Sequence, residues 1–580
     1  MTHRNLLLII CLLLVLVAFS IGQSLTQRVG DETTQRAVQA HFNFPMRITP
    51  VLSGNFGEIR SNHFHSGLDF KTEKRTGIPV YAVADGWISR IRISAYGFGY
   101  ALYIDHPSGY TSVYGHLDRY AYPIDSLAMA AQYSIESFEL DSLYQPKRFP
   151  VKAGQLIAYS GTSGLSTAPH LHFEIRDTRS EDVLDPLIWY GESIPDKQAP
   201  RIRQITLFAA NNQGIIQGNR RQYAVSTIQQ QDGSWVIKDS FPSAFGTLGL
   251  GIKAYDYMDN TTNTYGVWSI KLYKNDTLLY SRQMDRFAYS DTRYVNATID
   301  YNDWQRNNSI VMRSYLLPGN QWPHAFAIKR GLFTLNKGEI SHFRYELSDR
   351  KGNTTTLHFT LKGASIPIPA QHQVGQRMAY ALSNVWEENG IRLELPKGAL
   401  YEDLFFTAGR TIGNEHADIF RLHDSGTPIH MAVPLSIRIK SDTVTRKSRY
   451  YLARKNTAGK WLFAGSGTYK NGWLTTPIKE FGTYTVLTDK TPPKITPIDS
   501  NNAVKNRLFR IRVSDDASGV VSWRGTIDGK WVLFTFNIHS GELRYAFDDS
   551  RLSRNGQHSL MLTVTDACGN TQSFNHSFYY

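Results

Sequence analysis

Cysteine is almost absent from this sequence, which has two among its 580 residues. Cys11 lies in an apolar run at the N-terminus that we expect to be removed. The mature chain would then keep Cys568 alone, and it could form no internal disulfide. Disulfide staples are therefore excluded, so the packing of each core has to hold its domain together.

Long apolar runs are missing except at the N-terminus, where residues 6–19 are all apolar. Arg4 precedes this run, and the small residues Ser20 and Gly22 follow it. This pattern is typical of a secretory signal peptide, here residues 1–22. The alternative is an uncleaved membrane anchor, but the run is short for a span, which needs about 20 residues. We predict export to the periplasm or the cell surface.

The chain also lacks a run rich in Lys and Arg, although it is basic, with 63 Lys and Arg against 50 Asp and Glu. Residues 1–22 contain Arg4 and no acid, so the mature balance is 62 minus 50, or +12. Export and the missing basic run argue against nucleic acid as a partner. The charge suits an anionic polymer such as a cell wall. The length requires several domains.

Short alternating runs separated by turn signals predict a mainly β, multidomain protein. A compact β domain is expected at residues 45–192, interrupted by a more helical insertion at 121–149. A linker follows at 194–200. Residues 364–488 form a further β-rich module, and its segment 391–400 resembles the opening of the β domain shared by ankyrins and netrin receptors.

An internal repeat flanks that β-rich module. Three motifs recur in the same order, which predicts two related β-sandwiches at residues 200–362 and 490–580. The paired segments are Asp196–Ile202 with Asp489–Ile495, Ile252–Asp256 with Ile511–Asp515, and Tyr345–Asn353 with Leu562–Asn570. The last motif alternates apolar and polar residues and then turns at Gly-Asn, as a hairpin does. It resembles the immunoglobulin-like modules of bacterial surface proteins.

Histidines cluster in three segments of the first domain, at residues 63–70, 113–117 and 166–175. On a strand, His170 and His172 share one face, so one can bind a metal while the other faces a substrate. The intervening Leu171, and Phe173 after the pair, would then face the core. An isolated pair of this kind is more often a surface feature than a metal site.

His65 and Asp69 are four residues apart, roughly 13 Å if the chain were extended. Zinc bonds are only about 2 Å long, so both can bind one ion only if the backbone bends between them. Gly67 is the natural place for that bend. Two histidines, one aspartate and a water would complete a tetrahedral catalytic site with an open position.

Together the three segments resemble the lysostaphin/LytM-type zinc metallopeptidases, over about residues 54–190. The H-x-G-x-D motif of that family is found at 65–69, its Y-x-H-L motif at 114–117, and its histidine pair with a following Phe-Glu at 170–174. Residues 79–86 and 151–161 match as well. The resemblance implies an endopeptidase that cuts peptide bonds of bacterial peptidoglycan, in cross-links or stem peptides.

The resemblance assigns one zinc ion to His65, Asp69 and His172. It places His116 and His170 beside the zinc-activated water. The chain has no H-E-x-x-H motif, so these histidines must act as the acid and base, and which of them is the base stays open. His63 would support the site or be structural, and we interpret His106 as a turn residue.

Two other functions compete with an active endopeptidase. One is a non-catalytic regulator or scaffold of other wall hydrolases, which the complete set of five site residues argues against. The other is adhesion, with the β modules binding cell-envelope proteins or glycans, and it remains open as an additional role.

The insertion, Ala121–Phe149, leaves and re-enters the domain close to the segments that carry His116 and His170. Asp125 is an N-cap candidate for a helix. Leu127, Ile135 and Phe138 are expected to form its apolar stripe. The insertion either limits which peptides enter the groove or buttresses the next domain.

Overall fold

The computed structural model describes residues 40–368, 373–498 and 500–580. The predicted signal peptide, residues 1–22, lies outside the described residues. Strands account for 49% of the structure and helices for 9%, which confirms the mainly β class. Within the described ranges, no helix combines the length and the apolar character needed to cross a membrane.

The described residues contain few helices, and these are short. In chain order, α1 to α5 are Ile124–Ile135, Leu187–Tyr190, Val295–Thr298, Tyr301–Asn307 and Ala503–Asn506. Short 3-10 segments lie at Gly191–Ser193, Tyr289–Tyr294, Ile328–Gly331, Lys447–Arg449 and Ser500–Asn502.

The first domain, residues 45–192, is built around one antiparallel sheet. Its strands β1 to β13 are Leu52–Gly54, Ile59–Arg60, His63–Phe64, Leu68–Lys71, Pro79–Tyr81, Gly86–Ile93, Tyr100–Asp105, Tyr110–Tyr120, Leu140–Leu143, Pro150–Val151, Leu156–Ser160, His170–Asp177 and Val183–Leu184. The order across the sheet is β1-β4-β12-β8-β7-β6-β10. Strand β13 pairs with β12 and also with Arg286–Phe287, so the sheet continues into the next module.

The first module, residues 200–362, folds its strands around a second core. Strands β14 to β25 are Arg201–Ile216, Tyr223–Gln229, Trp235–Ile237, Ala244–Tyr255, Ser269–Lys274, Thr277–Gln283, Arg286–Phe287, Met312–Arg313, Ala325–Ala327, Phe333–Leu335, Ile340–Ser348 and Thr354–Lys362. The strand order is β21-β17-β14-β15-β16-β25-β24-β18-β19-β22. Helices α3 and α4 lie between β20 and β21.

The middle module, residues 364–488, has two five-stranded sheets. Strands β26 to β37 are Gln376–Met378, Asn384–Glu388, Ile391–Leu395, Leu404–Phe406, Ala408–Thr411, Ile419–Leu422, Pro428–Arg438, Tyr450–Lys455, Trp461–Ser466, Thr468–Lys470, Trp473–Glu480 and Gly482–Thr488. The sheet orders are β27-β28-β32-β36-β35 and β30-β31-β37-β33-β34.

The C-terminal module, residues 490–580, has two four-stranded sheets. Strands β38 to β45 are Lys494–Ile498, Leu508–Ser514, Val520–Ile527, Lys530–Val532, Thr535–Asn537, Glu542–Ala546, Gln557–Asp566 and Thr571–Tyr579. The orders are β38-β39-β43-β42 and β41-β40-β44-β45. That this module and the first one are of the immunoglobulin-like type stays a prediction.

Four large clusters of buried apolar side chains correspond to the four units. The cluster of the first domain extends into the first module, where Phe287 and Trp322 join it. Phe64 stacks on Trp322 with ring centroids 5.2 Å apart, and Phe56 lies 5.1 Å from Phe287. These contacts remove apolar area of both units from water, so they stabilise the two units as one structure.

The buried face of the helix in the insertion consists of residues other than those predicted. Helix α1 begins at Ile124 with Pro123 at the N-cap position, so Asp125 lies in the first turn rather than at the cap. Its buried residues are Ile124, Ala128 and Gln132, each four positions from the next. Of the predicted stripe, Ile135 is 56% exposed, and Phe138 is buried but lies beyond the end of the helix.

The outer side of the insertion packs on the C-terminal module rather than on the next domain in the chain. Tyr133 meets Trp531 edge to face at 4.9 Å, and the Arg551 guanidinium lies 3.4 Å from the centre of the same tyrosine ring. Glu136 forms an ion pair with Arg524. The insertion therefore connects the first and last units of the chain.

Candidate active site

Three adjacent strands carry most of the candidate site residues. Strand β12 lies between β4 and β8, and His172 is paired with Asp69 on one side and with Gly115 on the other. The predicted alternation holds, because Leu171 and Phe173 are fully buried in the core. Asp69, His172 and His116, which follows Gly115, are therefore brought together by strand register.

His65 reaches the same point because the chain bends before β4. Gly67 passes so close to β12 that a Cβ on it would lie 2.2 Å from the carbonyl oxygen of Phe173. A side chain at this position would push the two backbones apart. The close approach of the two backbones therefore explains why a glycine occupies the expected bend at position 67.

The three predicted metal ligands form one compact, buried group. His65 Nε2 lies 3.0 Å from Asp69 Oδ1 and 3.1 Å from His172 Nδ1. His172 Nδ1 lies 2.9 Å from the same carboxylate oxygen. All three residues are at most 4% exposed.

Hydrogen bonds outside this triad determine which ring nitrogens face its centre. His65 Nδ1–H donates to the Asn55 carbonyl oxygen at 2.6 Å, so its Nε2 faces inward. His172 Nε2–H donates to Glu174 Oε1 at 3.1 Å, so its Nδ1 faces inward. Partners of this kind orient imidazoles that bind metals.

His116 and His170 stand beside the triad, with ring centroids 4.8 Å apart. His116 Nδ1–H donates to the Ser163 carbonyl at 2.8 Å, and His170 Nδ1–H donates to the Ala168 carbonyl at 2.9 Å. The Nε2 atom of each ring therefore remains available for contacts within the site. His170 Nε2 lies 3.5 Å from Asp69 Oδ1.

The backbone of His116 is strained, with a φ of 56° in the left-handed region. Such strain in a non-glycine residue persists only where the surroundings enforce it, and it is concentrated at functional sites. The structure thus brings all five predicted residues together, while their individual roles remain predictions.

Burial dominates the electrostatics of the site. It lowers the pKa of His65 to about 4 and that of His116 to about 3. Burial also works against charge on His172, but hydrogen bonds to Asp69 and Glu174 outweigh it and raise the pKa of His172 to about 9. The carboxylates of Asp69 and Glu174 on either side of His172 therefore make this a place that favours a cation.

His172 is held in place by a group of three further side chains, Glu174, Arg176 and Tyr289. We did not predict this role from the sequence. Glu174 is fully buried and is paired with Arg176 at 2.6 Å. Tyr289, from the first module, donates its hydroxyl to Glu174 Oε1 at 2.5 Å. Glu174 was detectable, because it lies two residues after His172 on the same strand face. Tyr289 is 115 residues away from Glu174 in the sequence, and no sequence pattern indicated that the two residues are in contact.

Asp69 has a further partner on its other oxygen, since Arg60 donates to Asp69 Oδ2 at 2.6 Å. His63 lies outside the group and is exposed, with its Nδ1–H bonded to the Ser61 carbonyl. His106 is buried and bonded to Asp85 and Ser112, which makes it structural.

The C-terminal module also touches the rim of the site. His539 donates Nε2–H to the Gly164 carbonyl at 3.1 Å. Gly164 directly follows Ser163, whose carbonyl fixes His116. The first module, through Tyr289, and the C-terminal module, through His539, therefore support two sides of the histidine cluster.

Two family models match the chain. Peptidase family M23 matches residues 63–126 and 127–186, with the break inside the insertion. A Zu5-like domain matches residues 375–489, in agreement with the resemblance noted for the middle module.

Curated relatives match over the first domain. An uncharacterized metalloprotease of Haemophilus influenzae is 36% identical over 140 residues, which cover 24% of this chain and 22% of that protein. The peptidoglycan DD-endopeptidase ShyB of Vibrio cholerae is 35% identical over 111 residues, which cover 19% and 20%. The chain thus spans less than a quarter of the length of either relative.

Among solved structures, a zinc containing peptidase from Vibrio cholerae is 32% identical, with 23% of this chain and 36% of that chain covered and a TM-score of 0.18. The sequence motifs, the family match and the two curated relatives agree on the same segment. Residues 63–186 of the chain therefore form a peptidase M23 domain, and residues 375–489 match a Zu5-like domain.

Proposed function

We propose that this protein is an exported zinc metalloendopeptidase that hydrolyses peptide bonds of bacterial peptidoglycan. One observation carries the proposal. The buried donor atoms of His65, Asp69 and His172 lie within 4.8 Å of one another, and His116 and His170 stand beside them with their tautomers fixed.

The donor set fits zinc. Two imidazole nitrogens and one carboxylate oxygen are ligands that zinc prefers, and three protein ligands leave a fourth position open. Bonds of about 2.0 Å arranged as a tetrahedron separate ligand atoms by roughly 3.3 Å. The observed separations of 2.9 to 3.1 Å require only a small outward movement. When bound, zinc supplies Lewis acidity that polarises a peptide carbonyl and acidifies water.

His116 and His170 are the groups that can handle protons. Their Nδ1–H bonds are fixed on backbone carbonyls, so each Nε2 is available to the substrate. A neutral Nε2 takes the proton of the attacking water, and a protonated Nε2–H stabilises the oxyanion or returns the proton to the leaving amine. Asp69 and Glu174 hold the rings of His65 and His172 in place.

Peptidoglycan is proposed as the substrate on two grounds. ShyB, a relative over this domain, is named a peptidoglycan DD-endopeptidase. The expected mature charge of +12 also favours contact with an anionic wall. Export through residues 1–22 would bring the enzyme to this substrate. A non-catalytic regulator would not need both the triad and its two flanking histidines, so it is the less favoured reading.

The experiment is a hydrolysis assay with the zinc-loaded chain without residues 1–22. Purified peptidoglycan is the substrate, and new amino groups are counted. His116→Ala and Asp69→Ala should release few or none, whereas the exposed control His63→Ala should match the wild type. Wild-type protein that binds zinc yet releases no amino groups from peptidoglycan would favour the regulator.

A further inference from the structure

Three aspartates meet where the linker after the first domain enters the first module. Asp196 lies in the linker, Asp256 follows strand β17, and Asp349 follows strand β24. Each offers a carboxylate oxygen, and these oxygens lie within 4.8 Å of one another. The three residues, named here the first triad, lie outside the histidine site.

The C-terminal module repeats this arrangement with Asp489, Asp515 and Asp566, the second triad, again within 4.8 Å. The six aspartates occupy corresponding positions of the three repeated sequence motifs. The first module and the C-terminal module therefore each bring three carboxylates together at corresponding positions.

An asparagine fixes each triad in the same way. Asn353 donates Nδ2–H to Asp349 Oδ2 at 2.6 Å and to the Asp196 carbonyl at 3.4 Å. Asn570 makes the same two contacts, to Asp566 Oδ2 at 2.8 Å and to the Asp489 carbonyl at 3.1 Å. The linker aspartate is therefore held against the module in both copies.

The first triad has an unsatisfied oxygen that points to a missing ligand. Asp256 is 2% exposed, and its Oδ1 has no hydrogen-bond partner. Asp256 and Asp196 also line a small cavity of about 20 Å³. A buried carboxylate oxygen without a partner is costly. Burial and the nearby carboxylates of Asp349 and Asp196 raise the pKa of Asp256 well above its usual range.

Basic side chains near the first triad are engaged elsewhere. Arg350 pairs with Asp285 at 2.5 Å, and Lys351 lies 3.8 Å from Glu192. Lys351 offsets part of the charge on Asp196. Neither basic group is a hydrogen-bond partner of Asp256 Oδ1. The unpartnered oxygen of Asp256 is therefore not satisfied by either of these basic side chains.

We propose that the first triad binds one calcium ion. The ligands are all oxygens, which hard cations prefer, whereas zinc sites in proteins usually include nitrogen or sulfur. Calcium accepts oxygens in flexible geometry, whereas magnesium demands a near-ideal octahedron. The ion would fix the linker segment at Asp196 to the first module. This proposal does not depend on the peptidase activity.

The test is calcium binding to the zinc-loaded chain, residues 23–580, by equilibrium dialysis in CaCl2 up to about 10 mM, which covers the affinities of extracellular modules. The wild type should bind one calcium ion more than Asp256→Asn. The exposed control Asp239→Asn should bind as many calcium ions as the wild type.

Thermal unfolding separates lost binding from misfolding. Without calcium, Asp256→Asn should melt no lower than the wild type, because it removes repulsion within the triad. With calcium, the wild type should melt higher than the variant. Equal calcium binding by the wild type and by Asp256→Asn would overturn the proposal. So would equal binding of magnesium. None of these outcomes bears on the zinc site.

Discussion

His65 and His172 each use one ring nitrogen to hold a partner outside the triad. His65 donates to the Asn55 carbonyl and His172 to Glu174, so the remaining nitrogens face Asp69. A pair of facing nitrogens 3.1 Å apart requires a proton or a metal between them. At the scale of single residues, the site is therefore defined by tautomers as much as by residue types.

Replacing His65, Asp69 or His172 by Ala should remove most of the zinc and the activity. Each loss takes one of three ligands and leaves the others buried without their partner. Zinc per chain is measured by mass spectrometry of the metal, with His63→Ala as the control. Full zinc occupancy in all three single variants would sink the assignment.

His116→Ala and His170→Ala should keep zinc and lose turnover, by roughly 10²- to 10⁴-fold, because they handle protons rather than the metal. Zinc content and the rate of peptide hydrolysis are measured on the same preparations. A variant that cuts wall peptides at the normal rate would show that its histidine has no such role.

Tyr289→Phe tests whether the first module supports the site. Removal of the hydroxyl takes one hydrogen bond from Glu174, and loss of such an outer partner lowers metal affinity roughly 10- to 100-fold. Competition with a zinc chelator measures this affinity, and the exposed Tyr579→Phe is the control. Equal zinc affinity in both variants would make Tyr289 merely a packing residue.

The local parts of the site were predictable and the distant parts were not. Strand periodicity placed His170 and His172 on one face, and the four-residue spacing of His65 and Asp69 predicted a bend near Gly67. Tyr289 joins through contacts between units, which no local pattern encodes. The stripe predicted on the insertion was wrong at Ile135, which helix α1 turns outward, whereas Leu127 and Phe138 pack on the core.

At the scale of elements, the insertion is the feature whose role the structure clarifies most. Helix α1 buries Ile124 and Ala128 against its own domain and presents Tyr133 to Trp531 and Arg551. It therefore lies between two units, which favours the buttress over the gate, with the C-terminal module as its partner.

Tyr133→Ala should lower the free energy of unfolding by roughly 1–2 kcal/mol, since it removes an aromatic pair and a cation–π contact. Zinc content and the substrate profile should not change. Differential scanning calorimetry measures the transition, with Met129→Ala, on an exposed part of the same helix, as the control. Unchanged stability together with faster cleavage of small peptides would instead indicate a gate.

At the scale of the whole molecule, the first domain is not isolated. Phe56 and Phe64 pack on Phe287 and Trp322, and strand β13 pairs with the first module. On the opposite side, His539 contacts Gly164 near the site. The modules therefore stabilise the first domain through these contacts.

Deletion of residues 200–580 should leave a domain that binds zinc, because all five site residues lie upstream. Its thermal midpoint and zinc affinity should fall, since Tyr289 and the shared apolar contacts are lost. Affinity for intact walls, measured by co-sedimentation, should fall too. Wall binding that survives the deletion unchanged would leave the modules as spacers.

The central claim is tested most directly by mass spectrometry of wall fragments after digestion with the zinc-loaded chain. We expect fragments with new peptide termini whose summed masses exceed that of the parent by one water per bond cut, and none with Asp69→Ala. Fragments that keep their original masses under the wild-type protein, or that Asp69→Ala cuts equally well, would contradict it.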